Sequence, residues 1–286
     1  LPPGEHGVTG YTSLVEDRVL AWLTWTSDGA DQRDALVPEQ LQPRATVFER
    51  AAAGGVSTTV AGLARFQGSG LTRAVLRGGR YAGSVSAGDT VALVAAAAAE
   101  GPRSLVYCYT PELDLTGHVR GVDSDAWRAE LAVVDAFAAQ LSGRLPAGTR
   151  LLVTGDHGMV DVERDQQVDY DACPALQQGV RALTGEPRAR HVHVEPGALD
   201  DVRAAWTAEL GDRVRVLSRD EAVDDGLLGP VVSDAARART GDLVVLAGAG
   251  TGVVRRTVEP GPARLRGHHG SLTADEVLVP LLQAGP

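Results

Sequence analysis

The stretch "RSLVYCYTPELDLTGHVRGVDSDAWRAELAVVDAFAAQLSGRLPAGTRLLVTGDHGMV", residues 103–160, decides the fold. It opens on RSLVYCY (103–109), a short apolar run rich in β-formers that reads as a buried strand. SDAWRAELAVVDAFAAQLSG (124–143) then spaces Trp127, Leu131, Val134, Ala138 and Leu141 at helical intervals. Ser124 or Asp125 offers the cap, and Gly143 with Pro146 closes the helix. TRLLVTG (149–155) reads as the next strand. Strand, helix, strand at this rhythm predicts an α/β domain with a mostly parallel central sheet flanked by helices.

The same rhythm continues downstream. ARHVHVE (189–195), DRVRVLS (212–218) and GDLVVLAG (241–248) read as strands, and LDDVRAAWTAELG (199–211) as a helix. The Gly/Ala-rich zone around 51–100 is less regular and reads as a peripheral layer. One domain over 1–286 is expected, with cap-like segments around 30–100 and 163–240. No internal repeat or low-complexity linker interrupts it.

Composition sets outer bounds. The chain has 286 residues, 44% hydrophobic and 22% charged, which is the profile of a globular protein with a real core. Net charge is −10, every basic side chain apart from histidine is Arg, and no basic stripe of the kind that nucleic acid selects is visible. An acidic protein still handles anionic substrates when a metal supplies local positive charge. Cys108 and Cys173 lie far apart without metal-ligand spacing, so no disulfide framework is expected. The small-apolar run VALVAAAAA (91–99) is far too short to cross a bilayer.

In open α/β sheets, sites form beyond the carboxyl ends of strands. LVYCY runs into TPELDLTGH, delivering Asp114 and His118; LLVTG runs into Asp156 and His157. Asp114 and His118 are four apart, so a helix there projects them from one face. A third place, RGHHGSLTADEVLVPLL (266–282), carries His268 and His269 in a loop. Each place alone also fits an ordinary structural role: a solvated helix start, or an Asp serving as a turn residue. Three acid/His places at loop positions, two of them at strand ends, are harder to dismiss. Carboxylate oxygen with imidazole nitrogen suits Zn²⁺, Mn²⁺ or Fe. Five such ligands exceed one tetrahedral zinc with an open position and point to two metals clamping an in-line displacement at phosphorus.

Other candidates rank lower. His191 and His193 share one face of a strand with no carboxylate nearby in sequence. GAGTG (248–252) precedes VVRRTV, which reads as a strand and not as the helix a dinucleotide loop needs. No Gly-x-Ser-x-Gly elbow is present, so Ser271 is not a serine-hydrolase nucleophile. His6 in GEHG reads as a structural loop residue.

YTPELDLTGHVRG, LLVTGDHGM and HHGSLTADEVLVPLL resemble the Asp-x-x-Gly-His, Gly-Asp-His-Gly-Met and His-Gly-Ser-Leu-Thr motifs of the nucleotide pyrophosphatase/phosphodiesterase group of the alkaline phosphatase superfamily. LPPGEHGVTGY (1–11) resembles the segment that follows the nucleophile in that group. The resemblance implies an alkaline-phosphatase-like sandwich and two zinc ions per complete active site. Asp114, His118 and His269 would hold one ion, with His269 selected over His268 because it directly precedes Gly270. Asp156 and His157 would hold the other, together with an upstream Asp and a Thr or Ser nucleophile.

In the group, that first Asp and the nucleophile precede the segment resembling residues 1–11. The resemblance therefore places the nucleophile upstream of Leu1, and no catalytic nucleophile is expected among the 286 residues. The chain is expected to be N-terminally truncated and by itself inactive or severely impaired. Thr9, Thr12 and Ser13 lie past the nucleophile's position. Tyr11 falls where many relatives place an Asn that contacts a phosphoryl oxygen, and a Tyr hydroxyl donates a similar hydrogen bond.

The expected activity is hydrolysis of a phosphate ester or nucleotide, with a phosphodiesterase ahead of a phosphomonoesterase or other superfamily hydrolase. A metal-binding remnant without turnover is the non-enzymatic alternative. Two unpaired Cys lean toward the cytoplasm, an export signal being among the things such a truncation would remove. The all-Arg, Ala-rich composition leans toward a high-GC bacterial source.

Overall fold

The strand read at 103–109 forms over Ser104–Cys108 in a computed structural model that describes residues 1–285. It pairs in parallel with Ser57–Leu63, which pairs in parallel on its other edge with Arg80–Ser84. Parallel neighbours need a crossover, and the helices Gly70–Val75 and Ala87–Ala98 supply it. Residues 51–100, irregular in sequence, thus provide two of the three parallel strands.

The helix read at 124–143 forms over Asp125–Ser142, and the Ser124 hydroxyl accepts the Trp127 N–H at 3.2 Å as its cap. Its Leu141 joins Ala61, Ala82, Val91 and Val94 in a core against which Val106, Phe137 and Leu151 pack. These elements belong to one compact unit, made of residues 33–116, 123–156 and the stretch from Val279 onward.

The strand read at 149–155 is Leu151–Thr154, and its hydrogen-bonded partner is Leu281–Ala284, antiparallel. The expected single, mostly parallel central sheet is therefore replaced by several smaller sheets of mixed direction. Strand direction follows the connection: helical crossovers give the parallel part, and a returning C-terminal strand gives the antiparallel pair.

The other unit comprises residues 1–32, 117–122 and 157–278. One of its two four-stranded sheets runs antiparallel in the order Val180–Glu186, Ala189–Val194, Leu243–Ala247, Val214–Ser218. The helix Leu199–Leu210 lays Val202, Trp206 and Leu210 onto it, and the Trp206 indole N–H reaches the Leu176 carbonyl at 3.0 Å. His191 and His193 are interior residues of this sheet. The His191 ring accepts the Gly241 N–H, and His193 pairs with the Thr184 hydroxyl at 3.1 Å. Burial lowers both imidazoles to about 4. The 253–258 run begins as the strand Gly252–Val254. Among the described residues, no helix is long and apolar enough to cross a membrane.

Candidate metal centre

Directly after the Ser104–Cys108 strand, Glu112–Arg120 folds as a helix, so Asp114 and His118 stand one turn apart on one face. Asp114 sits in the first turn, where the helix dipole favours a carboxylate. The helix ends where the Arg266 N–H reaches the His118 carbonyl at 2.8 Å and Gly121 takes a positive φ of 93°. The loop bearing His268 and His269 is thereby tied to the end of the helix bearing His118.

Backbone carbonyls orient two imidazoles. His118 Nδ1 lies 2.7 Å from the Gly267 carbonyl oxygen, and His157 Nδ1 lies 2.8 Å from that of Gly158. In each case Nδ1–H is the donor, which puts the lone pair on Nε2 as a metal ligand requires. The His118 and His269 ring centroids are 5.2 Å apart, and His157 stacks on His269 at 3.4 Å with 12° between planes. Asp114, His118 and His269 each offer a ligand atom, all within 4.8 Å of one another.

Burial and the neighbouring imidazoles make His269 a poor place for a proton. Burial first, then His157 and His118, lower His269 to about 3. A neutral imidazole keeps the lone pair that a divalent cation needs, and the carboxylate of Asp114 would supply negative charge. The donor set present fits a metal. His268 is arranged differently. It lies in the strand Gly267–His268, buried, with Nε2 at 3.1 Å from the Leu265 carbonyl oxygen, and burial lowers it to about 4.

Asp156 follows the Leu151–Thr154 strand and is exposed. With Asp114 it acts on Tyr109, whose hydroxyl is pushed up to about 12 by burial and then by these two carboxylates. Leu1 is exposed and offers only a hydrocarbon side chain. It leads into the short helix Pro3–His6, whose Gly4 N–H donates to the Leu228 carbonyl at 2.7 Å. Gly4 also accepts the Ser233 N–H at 2.8 Å, so this helix is anchored at both of its peptide faces. Tyr11 donates its backbone N–H to Glu186 Oε2 at 2.9 Å. Its hydroxyl is raised above the ordinary value by burial and by Glu259. Thr12 donates its hydroxyl to the Gly185 carbonyl, and Ser13 receives the Trp22 indole N–H, so both serve the fold. The Val8 N–H donates to His6 Nδ1, a loop contact.

Four residues around the site escape a reading of the sequence. Glu186 is pushed up to about 7 by burial, and a side chain at Gly270, where φ is 122°, would collide with its carboxylate. Glu276 and Arg188 form a fully buried ion pair. Burial alone would raise Glu276, but hydrogen bonds from Arg188, Thr273 and Ser271 more than offset it. Tyr109 is the fourth. Only Glu276 leaves a sequence signal, as the T-x-x-E of Thr273 to Glu276 ahead of a short helix.

The profile of the type I phosphodiesterase / nucleotide pyrophosphatase family matches residues 1–272. No curated protein sequence matches the chain. Among solved structures, murine ectonucleotide pyrophosphatase/phosphodiesterase 5 superposes with a TM-score of 0.75 at 18% identity, covering 100% of this chain and 74% of that one. An inactive variant of the murine protein in complex with AMP gives 0.75 at 17% identity over the same shares. Phosphonoacetate hydrolase from Sinorhizobium meliloti 1021, in complex with phosphonoformate, gives 0.68 at 17% identity, covering 99% of this chain and 75% of that one. At such identities the likeness speaks for the fold.

Proposed function

The chain belongs to the type I phosphodiesterase / nucleotide pyrophosphatase family, and from that premise we propose that its site serves zinc-dependent hydrolysis of a nucleotide-type phosphate ester. Asp114, His118 and His269 hold one ion, and Asp156 with His157 contributes to a second. The observation that carries this reading is the convergence of one carboxylate and two imidazoles within 4.8 Å, one ring pinned through Nδ1 to a carbonyl. Oxygen and nitrogen donors in that ratio suit zinc. A bound metal there supplies a Lewis acid for a phosphoryl oxygen and lowers the pKa of an attacking hydroxyl.

The chain's own residues orient and exclude. The Gly267 carbonyl holds the His118 tautomer, and the low proton affinity of His269 keeps its lone pair available at neutral pH. Tyr11 is a candidate donor to a phosphoryl oxygen. The hydroxyls of Thr9 and Ser13 face each other at 3.1 Å, and that of Thr12 donates to the Gly185 carbonyl. The murine relative in complex with AMP supports a nucleotide substrate.

The test is metal content per chain after purification without chelator, compared with His118→Ala and Asp156→Asn. At least one zinc held firmly and lost in His118→Ala supports the reading; no zinc in the parent chain overturns it. Strong preference for p-nitrophenyl phosphate over bis-p-nitrophenyl phosphate would favour a phosphomonoesterase.

A further inference from the structure

We infer that the buried Arg188–Glu276 pair is a positioning clamp that holds the His157 and His269 loops in register. Arg188 lies in the turn between the strands Val180–Glu186 and Ala189–Val194, with its side chain 0% exposed. Its guanidinium meets the Glu276 carboxylate side-on, Nε to Oε1 at 3.0 Å and Nη2 to Oε2 at 2.6 Å. The remaining nitrogen, Nη1, donates to the carbonyls of Gly248 and Thr251. The guanidinium is thus fixed to the sheet from which the clamp extends.

Glu276 carries the connection to both histidine loops. Its Oε1 also accepts the Ser271 N–H at 3.0 Å, and its Oε2 accepts the Thr273 hydroxyl at 2.6 Å. Ser271 is two residues past His269, and its own hydroxyl reaches the Ala247 carbonyl at 2.6 Å. The backbone carbonyl of Glu276 accepts the Gly158 N–H at 2.7 Å, one residue past His157. A single residue therefore fastens the chain beside both imidazoles that stack at 3.4 Å. Gly158 is required for this approach, because any side chain there would strike the Asp275 carbonyl oxygen.

Stability alone does not account for the pair. Replacing a buried ion pair by apolar side chains of similar volume is often neutral or stabilising. An apolar pair cannot accept the Ser271 N–H or the Thr273 hydroxyl, and that is the function the carboxylate performs. Supports one step removed from a metal site set ligand orientation, and their loss typically costs 10–100-fold in affinity.

The inference rests on the metal reading of Asp114, His118 and His269, and the experiment separates the two. Metal-free protein is titrated with Co²⁺, whose visible d–d absorption reports ligand geometry, alongside thermal melting of the metal-free state. The double variant Arg188→Met/Glu276→Leu removes both charges together, so the fold is expected to survive. It should bind Co²⁺ about 10–100-fold more weakly with an altered band, while melting close to the parent. A folded double variant with parental affinity and spectrum overturns the clamp. Should the double variant fail to fold, Thr273→Val decides: weaker binding with unchanged melting supports the clamp, and unchanged binding overturns it. A parent chain that takes up no Co²⁺ overturns the metal reading, and the clamp falls with it.

Discussion

At single side chains, the site is a question of which atoms carry lone pairs. The i, i+4 spacing of Asp114 and His118 is visible in sequence because a helix converts spacing into direction. His118→Ala removes a nitrogen donor and should cut metal affinity at least tenfold, read by competition with a chromophoric chelator. Retained affinity would mean that His118 is not a ligand. His269 offers a ligand atom beside Asp114 and His118, whereas His268 is buried with Nε2 on the Leu265 carbonyl. Gly158→Ala should weaken binding or unfold the chain, because the new methyl overlaps a backbone oxygen that has no room to yield. Tyr11→Phe should raise KM more than it lowers kcat if its hydroxyl binds substrate. Unchanged kinetics would confine Tyr11 to its backbone hydrogen bond with Glu186.

Secondary structure was legible where side chains state their environment strongly. Helix Asp125–Ser142 has a cap, an apolar stripe and a terminator, and it forms where those signals place it. Removing the cap with Ser124→Ala should lower stability by about 1 kcal/mol. Urea denaturation measures this, and an unchanged midpoint would mean that the cap bond at 3.2 Å contributes little. The strands Ser57–Leu63 and Arg80–Ser84 were not legible. Thr58, Thr59 and Val60 are branched, but the strand runs on into Ala61-Gly62, which faces Ala82-Gly83, and these segments lack the side chains that mark a strand. They form because burial against Val91 and Val94 offsets the cost of an ordering that local propensity does not favour.

Across the whole molecule, buried histidines set the response to acid. His191 and His193 titrate near 4 when folded, below the ordinary value of about 6.5. Between those pH values the unfolded chain binds protons that the folded chain does not, so stability rises with pH. Their contribution is fully present above pH 6.5 and is lost as pH falls toward 4, at up to about 1.4 kcal/mol per pH unit for each imidazole. Urea midpoints from pH 7.5 to 4.5 should fall, and less steeply in His193→Gln. Equal slopes in both proteins would remove His193 from this account.

The sequence by itself determined the alternation of strands and helices around residues 103–160 and the strand ends that carry Asp114, His118, Asp156 and His157. Those features are local: periodicity, caps and turns act within a few residues. Only the tertiary structure decided the mixed directions of the sheets, since the strand pairing with Leu151–Thr154 lies at the far end of the chain. It also decided which imidazoles meet. Glu276 finds Arg188 across 88 residues, and His269 comes to rest on His157. Such meetings are set by the packing of distant segments, where a buried charge must find its partner or fail to be buried at all.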